Sequence, residues 1–392
     1  MMVRRLLPIL GITFIDIVGF SMLIPILPYF VTHFGASPFV VGLLASVFSL
    51  CQLVSGPIWG HLSDRLGRKW VLIISQIGAT IGWAMLAFAP NLWIVFLARV
   101  IEGTSGGNIG ITQAYAADVV RGDERARAFG LIGAMFGLGM IFGPAGSGFL
   151  FARFGYPAPF LTAAALQLLT LLLTVFFLPE SRKRGELEAT GVDFKAIVTN
   201  FSKPILRPLL LQKMALSLSL YGWYMVIALY LKGQLHFTLV ETTAYYSLFA
   251  VLGVLINVFV VGALSKRLGD RGMSSIGLAS LVLSFAWVPF VHSVPALIGS
   301  MVLFSIGQSL ASTGVTAMIS NASSDREQGT VLSVASSLDS VAGVIAPPIS
   351  TGMLAIFGSA YSGAESLLFA AVSLLLGTRA GKRERAAADA NA

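Results

Sequence analysis

At 392 residues, 56% of them hydrophobic and only 11% charged, the chain has too little polar surface to coat a soluble domain, in which roughly a quarter of residues are charged. A mean hydropathy of +0.84 points to lipid as the solvent. The formal net charge of +8 leaves nucleic acid open until the charges are placed, and the lone Cys51 excludes both a disulfide framework and a Cys-ligated metal site within one chain.

Twelve apolar runs follow in chain order, at 6–31, 39–60, 70–89, 92–115, 126–151, 157–178, 206–231, 242–264, 273–291, 294–318, 329–353 and 358–378. Each is close to the roughly 20 residues that a helix needs to cross a hydrocarbon core. Helix is the expected form, because a lipid-exposed backbone must satisfy its own hydrogen bonds. The short alternating strands of an outer-membrane barrel are absent from the pattern. The first run follows Arg4 and Arg5 as a signal peptide would. It is too long for that, and it holds Asp16 and three prolines, so it reads as a retained helix. The fold class predicted is an all-α integral membrane protein of twelve transmembrane helices.

The basic residues set the orientation. With the N-terminus inside, 22 of the 26 Lys and Arg fall on cytoplasmic segments, so both termini are expected in the cytoplasm. This placement accounts for the positive charge without nucleic acid. The longest polar segment, 179–205, separates six runs from six. The expected domains are a bundle over 1–178, a cytoplasmic linker over 179–205, a second bundle over 206–378 and a cytoplasmic tail over 379–392. Two phrases repeat across the divide. "GHLSDRLGRK" (60–69) returns as "GALSKRLGDR" (262–271), with Asp64 replaced by Lys266, and "GPAGSGFL" (143–150) is echoed by "APPISTGML" (346–354). The halves therefore read as pseudo-symmetric six-helix bundles.

Gly60, Asp64, Arg65, Gly67, Arg68 and Lys69, with Leu62, closely resemble the loop motif of the major facilitator superfamily. Arg99 and Gly103 are similar to its fourth-helix motif, with Glu102 where Gln is frequent. Gly130, Gly139, Gly143, Pro144 and Gly148 resemble the fifth-helix motif of its twelve-helix drug/proton antiporter branch, with Ser147 where Gly is usual. "DIVGFSMLIPILP" (16–28) is similar to the first helix of tetracycline/proton antiporters, whereas Gly82 stands where those proteins carry an acid. The resemblance covers nearly the whole chain. It implies two bundles around a midplane site, a gate hinge in the fifth helix, and a latch in which Asp64 pairs with loop arginines and meets a helix start in the opposite half.

Charges inside the runs cost several kcal/mol unless paired or hydrated, and each is a functional candidate. Asp16, Glu102 and Asp339 each lie ten residues from a run's start, about 15 Å deep at the helical rise. They are the candidate proton-coupling carboxyls, and Arg99, three residues before Glu102, is the candidate partner of Glu102 or, if the first and fourth helices face each other, of Asp16. Asp16 and Asp339 have no base in their own helices. Lys213 is expected to snorkel to the inner face, and Glu365 to lie at the interface. Tyr221, Trp223, Tyr224 and Asn257 are candidates for a lipophilic cavity. "GTSGGNIG" (103–110) follows no strand and lacks Gly-Lys-Ser/Thr, so it is not a phosphate loop. The scattered His33, His61, His236 and His292 form no metal site, and no catalytic constellation is visible.

The expectation from these features is a transporter and not an enzyme: a proton-coupled exporter of small lipophilic or amphipathic compounds in a bacterial inner membrane. The alternative is a proton symporter or facilitator importing a metabolite. Its partners are a small-molecule substrate, protons and the lipid bilayer. It needs no cofactor beyond the proton gradient, and it is expected to act as a monomer.

Overall fold

The computed structural model describes residues 2–106, 108–120, 124–181, 201–323 and 327–389. Most of the linker, with Lys195 and Gly185, lies outside the described residues, as do Arg121 and Arg326. The apolar runs become helices, and no strand occurs among the described residues. In the first half these are α1 (Met2–His33), α2 (Pro38–Leu66), α3 (Arg68–Ala87), α4 (Leu92–Thr104), α5 (Asn108–Val119), α6 (Arg125–Phe154) and α7 (Pro157–Phe177). The second half has α8 (Leu206–Gln234), α9 (Leu239–Leu255), α10 (Gly262–Trp287), α11 (Val294–Asn321), α12 (Gln328–Phe357) and α13 (Ala364–Asp389). A π-helical turn, Ile256–Val261, joins α9 to α10.

By length and composition, ten stretches among the described residues can cross a membrane. One of them, Leu239–Phe290, holds two spans, because Gly269 breaks the helix at a φ of 66°. The remaining span is divided between α4 and α5. The twelve-span reading follows from these counts.

Two compact units form, one from 1–36, 47–192 and 237–250, the other from 37–46, 193–236 and 251–392. Each takes in the start of one helix from the other half of the sequence. In the first unit α1 lies against α6 and α7, and α3 against α7 and α4. In the second, α8 lies against α12 and α13, and α10 against α13 and α11, the same arrangement one repeat later. Backbone breaks repeat as well. Positive φ among the described residues occurs at Gly35, Gly67 and Gly155, and again at His236, Gly269 and Gly358, at spacings of 201, 202 and 203. At Gly67 and Gly269, the same glycine of the repeated phrase ends one span and starts the next.

The core of the first unit joins Leu6, Ile9 and Ile12 of α1 to Val71 and Leu72 of α3 and to Ile111 and Tyr115 of α5. In membranes, small residues let helix backbones approach closely, and α6 meets α1 in this way. A Cβ at Gly143 would run into Ser21 and the carbonyl of Val18, and the Ser21 hydroxyl donates to the Gly139 carbonyl at 2.9 Å. Gly148 faces Thr243 at the start of α9 within the same unit. In the second unit Gly42, at the start of α2, faces Pro347 and Thr351 of α12, and the Ser46 hydroxyl donates to the Val344 carbonyl at 2.5 Å.

Gly143→Ala forces a methyl into that contact, and overpacking of this kind costs about 1–3 kcal/mol. Gly130 has open space around the site of a Cβ. Its change to Ala should gain up to about 1 kcal/mol of helix propensity. Thermal unfolding of the purified protein in detergent should therefore show Gly143→Ala clearly below the parent and Gly130→Ala at or above it.

Candidate functional site

The turn between α2 and α3 builds a charged clasp. Gly67, with a φ of 100°, lets the chain reverse so that α3 starts at Arg68. The Arg68 guanidinium then reaches back. It pairs with Asp64 at 2.8 Å and with Asp118 at the end of α5 at 3.1 Å, and it donates to the Ser63 hydroxyl at 2.6 Å. Glu180, just beyond α7, accepts the backbone N–H of Arg68 at 2.8 Å and of Lys69 at 3.2 Å. An exposed carboxylate thereby caps the helix start and meets its positive dipole end. Lys69 donates its ammonium to the Val175 carbonyl at 2.8 Å, while Arg65 is exposed and Gly60 has no neighbour where a Cβ would stand. Asp118 and Glu180 complete the clasp, and neither belongs to the sequence motif. Their only sequence signal is that each is an acid placed just after a long apolar run.

Deeper in the first unit, Arg99 and Glu102 are both buried and pair through Nη1 and Oε2, one turn apart on α4. The guanidinium also lies 4.1 Å from the centroid of the Phe48 ring. Arg99 Nε and Glu102 Oε1 have no hydrogen-bond partner among the described residues. Gly82 of α3 provides the room, since a Cβ there would come within 2.5 Å of Glu102 Cγ. This explains why the third span has no side chain at that position.

Asp16 of α1 stands among neutral groups. Asn108 donates its amide to Asp16 Oδ2 at 3.4 Å, and Gln167 and Thr170 of α7 lie beside the carboxyl. Asn108 in turn accepts from the Ser75 hydroxyl at 2.5 Å. Arg99 is engaged by Glu102, and no ion pair to Asp16 occurs among the described residues. Asn108, from the glycine-rich stretch dismissed as a phosphate loop, was not visible as a partner, because only the return of α5 beside α1 brings it there.

The second unit corrects two expectations and refines a third. Lys213 does not snorkel away: its ammonium lies 2.8 Å from Asp339 Oδ1, so α8 supplies the base that α12 lacks. The same carboxyl oxygen accepts from Ser217 at 2.5 Å. Glu365 is not interfacial. It is buried, it accepts from the Ser350 hydroxyl, and it lies beside Gly222. Trp223 packs inward against Phe285, Phe304 and Tyr230 and is only 3% exposed. Tyr221 is 37% exposed and sits edge-on to Tyr224. Asn257 lies in the π-helical turn and donates to the Ser309 hydroxyl at 3.1 Å.

Comparison with known proteins places these features in a family. The family model described as Major Facilitator Superfamily matches residues 9–347 and again 254–391. The chain is 32% identical to the class C tetracycline resistance protein of Escherichia coli over 379 residues, which is 95% of each chain. It is 27% identical to multidrug resistance protein 2 of Bacillus subtilis, over 86% of this chain and 85% of that one. Among solved structures, a bacterial homologue of the human lysosomal transporter Spinster superposes with a TM-score of 0.81 at 16% identity, over 97% of each chain.

Removing the clasp's cap gives a direct test of its weight. Glu180→Ala leaves two helix-start N–H groups without their acceptor, a loss worth about 0.5–2 kcal/mol for helix caps. A lowered unfolding temperature in detergent is expected, with Glu180→Asp intermediate; an unchanged temperature would remove Glu180 from the clasp.

Proposed function

The chain belongs to the Major Facilitator Superfamily, and from that premise we propose that it is a proton-coupled exporter of small lipophilic or amphipathic compounds, working by alternating access. Membership makes it a multi-pass membrane transporter and not an enzyme. Export is supported by relatives named for resistance to tetracycline, to quinolone and to multiple drugs. On this reading the moving bodies are the bundles over 1–178 and 206–378, and the setting is a bacterial inner membrane with both termini in the cytoplasm.

The observation that carries the reading is Asp16, a carboxyl at span depth whose partners are all neutral. A carboxylate there is costly without a cation, and a bound proton removes the charge. Such a group can take a proton from one side and deliver it to the other. Glu102 supports the cycle differently. Its charge holds Arg99, so a proton arriving on Glu102 releases the guanidinium for Asp16, the other span-depth carboxyl of the same unit. Because Glu102 fills the room beside Gly82, it stands in for the acid that tetracycline antiporters carry on the third helix. The Asp64–Arg68–Asp118 clasp forms the gating element, and the contact of Gly139 and Gly143 with α1 is the surface on which the fifth span bends.

Coupling is tested in vesicles by measuring efflux against a gradient and exchange without one, in the same preparation. Asp16→Asn should abolish proton-driven accumulation and keep downhill exchange. Glu102→Gln should disturb coupling less and substrate range more. Arg99→Ala should lose both activities, since it leaves the buried Glu102 without its cation. An Asp16→Asn protein that still pumps uphill at the parent's stoichiometry sinks the assignment. Proton-driven uptake in place of efflux would support the importer alternative.

Orientation is tested with single cysteines at Gly185 and Lys382 in a Cys51→Ala background. Both should resist a membrane-impermeant thiol reagent in intact cells and react once the cells are opened. Ready labelling from outside would invert the map.

A further inference from the structure

We infer that Lys213 is the docking point for an anionic group on the transported molecule, and that Asp339 occupies it when that group is absent. The inference rests on the transporter reading but assigns a chemical class that the reading leaves open.

The geometry begins with a pair that is neither buried nor at a helix end. Lys213 lies two turns into α8 and Asp339 three turns into α12, well inside two membrane spans. Their 2.8 Å contact leaves the side chains 12% and 31% exposed. Charges cannot face acyl chains at such depth without a large cost. The open side of the pair therefore faces polar space. A pair kept only to join α8 to α12 would gain nothing from this opening, since apolar contacts of similar volume join helices as well or better.

The neighbours give the face its character. Lys213, Ser217, Tyr221 and Tyr224 recur at helical spacing along one stripe of α8. Tyr221 is 37% exposed, and its ring meets that of Tyr224 edge-on at 6.4 Å. Ser336, exposed on α12, precedes Asp339 by three residues and widens the polar end. The stripe thus has an ammonium at one end and aromatic rings at the other. Its complement is a lipophilic body ending in a carboxylate, enolate or sulfonate.

Asp339 is built to let go. Its Oδ1 is shared between Lys213 and the Ser217 hydroxyl, so departure of the ammonium leaves one hydrogen bond in place. Its exposed side is open to hydration. A ligand anion can then take the ammonium while Asp339 keeps the Ser217 hydroxyl and turns its exposed side to water. A permanently cationic ligand has no such exchange to make with Lys213.

The test uses one lipophilic body in three charge states: dansyl-leucine, its methyl ester, and a dansyl derivative ending in trimethylammonium. Binding to the full chain in nanodiscs is read from dansyl fluorescence, and efflux from proteoliposomes with an imposed pH gradient. The parent should hold dansyl-leucine more tightly than the ester. Lys213→Gln should weaken dansyl-leucine by about tenfold or more, the scale of one lost charge-assisted contact, and leave the ester within about twofold. Lys213→Arg should retain most of the preference, and Asp339→Asn should strengthen dansyl-leucine by removing its competitor. The charge-reversed pair Lys213→Asp with Asp339→Lys separates this from a purely structural bridge. If that double variant restores parent behaviour, or if Lys213→Gln and Asp339→Asn weaken all three probes alike, the inference is overturned. It is also overturned if the parent does not prefer dansyl-leucine to the ester; export of the cationic probe in the same vesicles would then leave the transporter reading standing. Lys213-dependent binding of dansyl-leucine without gradient-driven efflux of any probe would do the reverse.

Discussion

Hydrocarbon offers a charge no water, and each charge this chain brings into a span is met from within its own unit. Arg99 has Glu102 and the face of Phe48; Lys213 has Asp339; Glu365 has the Ser350 hydroxyl; Asp16 has, among the described residues, amides and hydroxyls. These four solutions differ in how firmly the charge is fixed. An ion pair between i and i+3 on one helix moves with that helix, whereas a pair that joins α8 to α12 depends on both. A carboxyl with neutral partners is held by hydrogen bonds alone. The arrangement therefore runs from fixed to exchangeable, and the transport reading draws on its exchangeable end.

Close backbone approach is the second condition, and it serves the first. Gly82 makes room for Glu102, Gly222 lies against Glu365, and Gly143 brings α6 onto the same helix that carries Asp16. Bulkier residues at these positions would push the polar groups away from the partners that neutralise them. At the membrane edge the same logic appears in the clasp, where Gly67 permits the reversal that aims Arg68 at Asp64 and Asp118.

Much of the architecture was legible because it is written in local terms. Apolar runs of spanning length, the charge between them and a phrase repeated at an offset of 202 are all sequence-adjacent features. The structure repeats that phrase as a backbone event, with Gly67 and Gly269 both at positive φ. The partnerships were less visible. Lys213 and Asp339 are 126 residues apart and meet only because α8 lies against α12. Glu365 looked interfacial from its place near a helix start, yet that start is buried beside Ser350. Depth along a helix can be counted from sequence. Facing cannot, because an apolar span has little amphipathic contrast to reveal which side is inward.

The slow drift in the paired backbone breaks has a geometric meaning. From Gly35 to Gly67 the first half uses one residue fewer than the second half uses from His236 to Gly269. An extra residue in an α-helix would swing everything after it by about 100°, undoing the match of faces between the halves. The helix absorbs such a residue without rotation if it widens locally to i→i+5 bonding, as π-bulges do. The π-helical turn Ile256–Val261 lies within that longer interval. Between Leu239 and Gly262 it is the place where an added residue widens the helix instead of turning it. The surplus falls where Asn257 reaches Ser309, and the first half meets the same point from an unbroken helix, with Ser55 donating to the Gly103 carbonyl at 3.1 Å.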